Sequence, residues 1–242
     1  MKVIVTENYD EMSRIAAQEL ASVMQAKKDC VLGLATGSTP VGMYRELIRM
    51  NQAGELDFSA VRSVNLDEYY PITPENDQSY RYFMNVNLFD HVNIDKKNTH
   101  VPDGTVADPD AHCRAYDEMI DSLGGVDVQV LGIGRNGHIG FNEPSADGLV
   151  AGTHLTDLTQ DTIEANARFF ASVDEVPTKA LTMGIRSVFK ARKIVILANG
   201  ASKADAISKM LSESISTMCP ASLLCLHPDV TLICDKDAYS KC

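Results

Sequence analysis

Short apolar runs bounded by polar or glycine residues alternate along the chain with longer stretches in which apolar positions recur every three or four residues. The runs at 3–5, 30–35, 61–66, 126–133, 180–185, 193–198 and 230–234 read as buried strands, and the stretches at 9–27, 40–51, 79–89, 107–123, 162–170 and 203–211 as amphipathic helices. Strand–helix alternation of this kind requires right-handed crossovers. It predicts an α/β fold with a mainly parallel sheet and helices on both faces. No linker rich in Pro, Gly or Ser and no internal repeat interrupts the pattern, so residues 1–242 are expected to form a single domain. Ligands of such sheets bind beyond the carboxyl ends of the strands.

Composition narrows the partners. The formal charge is −11, which argues against a nucleic-acid or anionic-membrane partner. An anionic substrate must then be captured by local groups against the field of the whole molecule. The start, MKVIVTENYDEM, has one Lys and an apolar run of three residues, unlike a signal peptide, and no stretch reaches the length of a membrane span. Six cysteines are scattered without a CxxC pair or a His at ligand spacing. A reducing, cytoplasmic setting without a zinc site is expected.

Four predicted strand ends carry chemistry. After CVLGLA comes TGSTP, residues 36–40, where Thr36, Gly37, Ser38 and Thr39 precede a helix. Such a turn can cradle a phosphate on free N–H groups, or can be a capped turn with Ser38 or Thr39 at the cap and Pro40 in the first helical position. After KIVILA comes NGASKAD, with Lys203 in a first helical turn, where the dipole disfavours a cation unless an anion stands between them. A solvated surface lysine is the other reading. After VRSVNL comes DEYYP, where Asp67 or Glu68 either faces the crevice as a base of raised pKa or caps a backbone N–H.

The fourth strand end is LGIGRNGHIGFNEP, residues 131–144, which spends four glycines around His138, with Asn136 and Glu143 within reach. Glycines fixed at an entropic cost are kept for shape or for close approach. His138 is then either a proton-transfer group in the crevice or a satisfied core histidine.

LGLATGSTPVGMYREL, NLDEYY, LGIGRNGHIGFNEP, NARFF and LHPDVTLICD, in that order over residues 31–235, resemble the glucosamine-6-phosphate deaminase family. The resemblance implies a Rossmann-like three-layer sandwich and conversion of glucosamine 6-phosphate and water to fructose 6-phosphate and ammonia, without metal or organic cofactor. It implies that Asp67 is the base acting between C2 and C1, that His138 opens the sugar ring, and that Glu143 orients it. It further implies that the TGST loop, Arg168 and Lys203 clamp the phosphate. Asn136 stands where many members carry aspartate; its amide is expected to hydrogen-bond the imidazole without stabilising its cation by charge.

Two rival readings remain at this point. A 6-phosphogluconolactonase has a similar fold and a Gly-rich His loop but needs no base at C2. A sugar-phosphate sensor domain would carry a helix-turn-helix ahead of the fold, whereas the first predicted strand begins at residue 3. Some longer members of the family are hexamers activated by N-acetylglucosamine 6-phosphate. Here the segment 146–158 holds no Lys or Arg and the chain stops soon after its last predicted strand. A monomer or small homo-oligomer with hyperbolic kinetics is expected.

Overall fold

The computed structural model describes residues 1–242 except 167–169, 171, 173–174 and 213, and leaves the side chains of 161, 165 and 166 undescribed. The chain runs β1 (Lys2–Thr6), α1 (Tyr9–Ala26), β2 (Val31–Leu34), α2 (Val41–Gln52), β3 (Arg62–Asn65), β4 (Asp67–Tyr70), α3 (Tyr80–Asn87), β5 (Thr99–His100), α4 (Pro109–Ser122) and β6 (Val128–Gly132). It continues through β7 (His154–Asp157), α5 (Gln160–Asn166), β8 (Lys179–Thr182), α6 (Ile185–Phe189), β9 (Lys193–Ala198), α7 (Ala204–Leu211) and β10 (Val230–Asp235).

Seven strands form one parallel sheet in the order β1-β10-β9-β6-β2-β3-β5. Successive side chains of a strand point to opposite faces. Every residue of β2 and β10 is nevertheless buried, so both faces of the sheet's interior are covered. This is why these strands read as predominantly apolar runs. Helix α1 shows the complementary pattern. Asn8 caps it by accepting the Glu11 N–H at 3.0 Å, and Asp10 and Glu11 complement the dipole of the first turn. Met12, Ala16, Leu20 and Met24 then fall four residues apart on its buried stripe. Truncating the fully buried Leu20 to Ala costs about 2–5 kcal/mol by the usual cavity penalty.

The run at 180–185 departs from expectation. Its strand ends at Thr182, Gly184 caps α6, and β8 is not in the parallel sheet at all. It is the middle strand of a second, antiparallel sheet, β4-β8-β7. A small second core of Tyr69, Ile72, Phe141, Leu158 and Ala180 supports it. There the Tyr80 and Phe141 rings stack at 6.2 Å and Tyr69 lies 4.8 Å from Tyr80, centroid to centroid. These aromatic contacts hold β4, and with it Asp67, against the 138–142 turn.

Candidate active site

β6 lies between β9 and β2 at the middle of the parallel sheet, so the turns after these three strands meet at one end of it. Thr39 Oγ1 donates to Asn199 Oδ1 at 2.9 Å, joining the TGSTP turn after β2 to the NGASK turn after β9 over the end of β6. The capped-turn reading of TGSTP fails. Pro40 itself is the cap residue of α2 and no side chain caps the helix, because the Thr39 hydroxyl is spent on Asn199. Tyr9 instead braces the turn, its hydroxyl donating to Ser38 O at 3.0 Å and accepting the Gly42 N–H at 2.7 Å.

Gly37 and Gly200 both take left-handed backbone angles, φ 94° and 83°. A Cβ at either would meet no atom within 4 Å, so both turns leave their backbone approachable. The Gly200 N–H is held by both Asp235 carboxylate oxygens at 3.0 Å. Thr36 is half-buried and Ser38 exposed. Lys203 differs slightly from expectation: it closes a short 3-10 turn, Ala201–Lys203, and is the cap residue of α7, not part of its first turn. Arg168 lies outside the described residues.

The turn after β6 answers what its glycines are for. A Cβ on Gly134 would sit 2.3–2.4 Å from three ring atoms of His138, so the imidazole lies directly on Gly134. Gly137 backs onto Cys219, whose Sγ lies 2.6 Å from where its Cβ would be. His138 is therefore packed by absence of side chains and is only partly buried. Its Nδ1 lies 3.2 Å from the Glu143 carboxylate. Glu143 also accepts from Thr162 Oγ1 at 2.6 Å and from Asn136 Nδ2 at 2.7 Å. Burial raises the Glu143 pKa, but His138 and these hydrogen bonds outweigh it and hold the carboxyl down to about 2. A permanent carboxylate thus fixes the imidazole's Nδ1 and leaves Nε2 for other work.

Asn136 departs from expectation. It does not reach the imidazole: its amide nitrogen donates to Glu143, and its Oδ1 accepts the His138 backbone N–H at 3.1 Å. It orients the carboxylate and the turn. An amide can bridge these two groups because it both donates and accepts.

Asp67 and Glu68 open β4 side by side and meet opposite fates. Glu68 accepts three backbone N–H groups, from Tyr69 at 2.9 Å, Tyr80 at 2.8 Å and Arg81 at 2.9 Å, which docks the start of α3. No described residue donates to the Asp67 carboxylate, which is only 6% exposed. Burial, with Glu68 beside it, pushes Asp67 up to about 8. Burial also raises Glu68, but the three N–H groups restrain it to about 7. Asp67 stands against the histidine turn. A Cβ on Gly140 would be 3.6 Å from Asp67 Oδ2 and 3.0 Å from Thr182 Oγ1, and Thr182 Oγ1 accepts the Phe141 N–H at 3.1 Å. A carboxyl poised near neutrality and a carboxylate-backed imidazole, on separate elements around one crevice, can move two protons on one small substrate.

Among the described residues no group of three or more His, Cys, Asp or Glu side chains could hold a metal ion. No described helix is long and apolar enough to cross a membrane.

The model of the glucosamine-6-phosphate isomerases/6-phosphogluconolactonase family matches residues 6–233. The chain belongs to that family. Within the family it lies near the deaminases: it is 57% identical over 238 residues to the glucosamine-6-phosphate deaminase of Clostridium perfringens strain 13, covering 98% of each chain. The solved structure of a monomeric glucosamine-6-phosphate deaminase superposes with a TM-score of 0.96 at 46% identity, covering all of both chains. The 6-phosphogluconolactonase of Trypanosoma brucei superposes at 0.78 with 19% identity over 99% of this chain and 97% of that one, a likeness of fold alone.

Sequence reasoning missed Thr162, Asn199, Asp235 and Thr182, whose hydroxyls, amide and carboxylate hold the site from other strands and helices. Their partners are 19 to 160 residues away in the chain, so no local spacing pairs them, although Asn199 and Asp235 lie within NGASKAD and LHPDVTLICD. Glu68 was visible in DEYY but inseparable from Asp67 until its three N–H donors were seen.

Proposed function

We propose that this chain catalyses the deaminase reaction of its relatives, converting glucosamine 6-phosphate and water into fructose 6-phosphate and ammonia, as a single functional unit over residues 1–242. The observation that carries the reading is the buried Asp67 carboxyl, to which no described residue donates, beside the turn that carries the His138–Glu143 pair. A lactone hydrolase needs a group to activate water but no second base beside C2, and the buried carboxyl of Asp67 in addition to the imidazole supports the deaminase reading.

In this reading the Thr36–Thr39 turn, Lys203 and Arg168 hold the phosphate and fix the sugar's far end, orientation that can lower the barrier by several kcal/mol. His138 carries the proton from the anomeric hydroxyl to the ring oxygen, which opens the ring to the aldehyde. Asp67 takes the C2 proton while a proton of the substrate ammonium passes to the aldehyde oxygen, giving a neutral enolamine, and Asp67 then returns its proton to C1. C1 is then the hydroxymethyl carbon and C2 an iminium. Water adds to C2 and ammonia leaves, completing the ketone. No cofactor enters these steps. All six cysteines are free thiols, in keeping with a reducing, cytoplasmic location. The 46%-identical relative described as monomeric supports a monomer here, which sedimentation velocity tests against a small oligomer; a hexamer contradicts it.

The deciding assay follows ammonia and fructose 6-phosphate from glucosamine 6-phosphate alongside acid release from 6-phosphogluconolactone. Stoichiometric ammonia and ketose are expected. Lactone hydrolysis without ammonia overturns the reading.

A further inference from the structure

Beyond β5, at the edge of the parallel sheet, a cavity of about 260 Å³ is lined by Arg81, Thr99, His100, His112 and Tyr116. Its lining includes no Asp or Glu, in a chain with 33 acidic and 22 basic residues. Arg81 supplies the charge. Its Nη1 donates to Thr99 Oγ1 at 2.8 Å and its Nη2 to Thr99 O at 2.9 Å, both neutral acceptors. No described carboxylate lies within ion-pair distance of the guanidinium. Glu68 takes the Arg81 backbone N–H instead. A guanidinium carries five N–H donors and stays charged in proteins. This one is half-buried and tied in place; Glu68 acts on it only through space, with no direct ion pair among the described residues.

The neighbouring groups are donors as well. His112 Nε2 accepts the Asp103 N–H at 2.9 Å, so its ring proton is on Nδ1. Burial and Arg81 together hold His100 below its ordinary value, so it enters as a neutral imidazole with one N–H. Tyr116 is already spent: its hydroxyl accepts the Asn65 N–H at 3.1 Å and lies within hydrogen-bonding distance of Asn65 O and His100 O, at 2.8 and 3.2 Å. None of the residues placed at the crevice lines the cavity, which lies beside the edge strand β5. The site is thus separate from the crevice at the middle of the sheet.

From the guanidinium held by neutral acceptors, the two imidazoles and the lack of any lining carboxylate, we propose that this cavity is a second anion site that binds a small oxyanion of the phosphate class. Charge-assisted N–H bonds from Arg81 supply the affinity, and the imidazoles complete the cradle. A volume of 260 Å³ is several times the roughly 30 Å³ that one water occupies in the liquid, so a phosphate ion fits with room for a small substituent.

The test is calorimetric titration of the full chain with inorganic phosphate, with and without saturating fructose 6-phosphate. The sugar phosphate is expected to displace phosphate from the crevice while one equivalent still binds. Arg81→Gln and His100→Gln should each weaken that remaining equivalent at least tenfold. His100→Gln guards against the case in which Arg81→Gln loosens α3, since His100 lies on a two-residue edge strand. If fructose 6-phosphate displaces all bound phosphate from the wild-type chain, or if a folded His100→Gln chain and the wild type bind the remaining equivalent equally well, the second site does not exist.

Discussion

At the residue scale, Asp67 couples function to stability. Its folded-state pKa of about 8 lies above its ordinary 3.8. Between those values the folded chain holds a proton that the unfolded chain has released. Stability from this group therefore falls as pH rises through that window, and the penalty is complete above pH 8. Asp67→Asn removes the titration. The variant is expected to lose more than nine-tenths of turnover and yet to melt higher than wild type, with a gap that widens from pH 5 to pH 8. A gap that stays constant with pH shows that Asp67 is ionised at ordinary pH and so is not tuned by burial. Its neighbour gives an independent check. Glu68→Gln keeps an acceptor for the N–H groups but removes a like charge, so the acid limb of kcat/KM against pH should move down by roughly half a unit or more. A limb that does not move leaves Glu68 with only the docking of α3.

At the scale of elements, what the sequence shows depends on whether burial is two-sided. β2, β6, β9 and β10 lie inside the parallel sheet, so their residues are predominantly apolar and their extents are legible to within two or three residues. β4 begins with two carboxylates, β5 has two residues and β7 is half-exposed, so none of these carries a pattern. The antiparallel sheet that presents Asp67 was invisible for that reason. The His138–Asn136–Glu143 group was legible because its members lie within seven residues of each other, although the direction of the Asn136 bonds was not. The turn itself makes a sharp prediction. Gly134→Ala forces the His138 ring off the position it now occupies, while the backbone there has no left-handed angle to strain. A displacement of about 1 Å at a reacting group can cost 100-fold. The variant should therefore fold normally by circular dichroism and lose about that much kcat/KM. Full activity places the reacting imidazole elsewhere.

At the scale of the whole molecule, a chain of charge −11 has to hold an anionic sugar phosphate. The general field opposes encounter, but it is screened over a Debye length of about 8–10 Å at physiological salt. Contacts at hydrogen-bond distance are screened far less, so capture must be local. Lys203, at the head of α7 beside the Gly200 turn, is the cation proposed to do this. A charge-assisted contact contributes about 1.5–3 kcal/mol, so Lys203→Ala should raise KM roughly 10- to 100-fold with a much smaller change in kcat. The control removes the same charge from the far end of the sheet. Lys190 follows α6 and precedes the amino end of β9, where it pairs with Asp121 at 2.8 Å, away from the strand ends that carry the turns. Lys190→Ala changes the net charge equally and touches none of the site, so its KM should stay within about twofold of wild type, as expected for an exposed pair. Equal rises in both variants would mean that the global field governs capture and that Lys203 makes no contact with the phosphate. A rise in Lys203→Ala alone, persisting at 0.5 M sodium chloride, assigns the cation to the substrate.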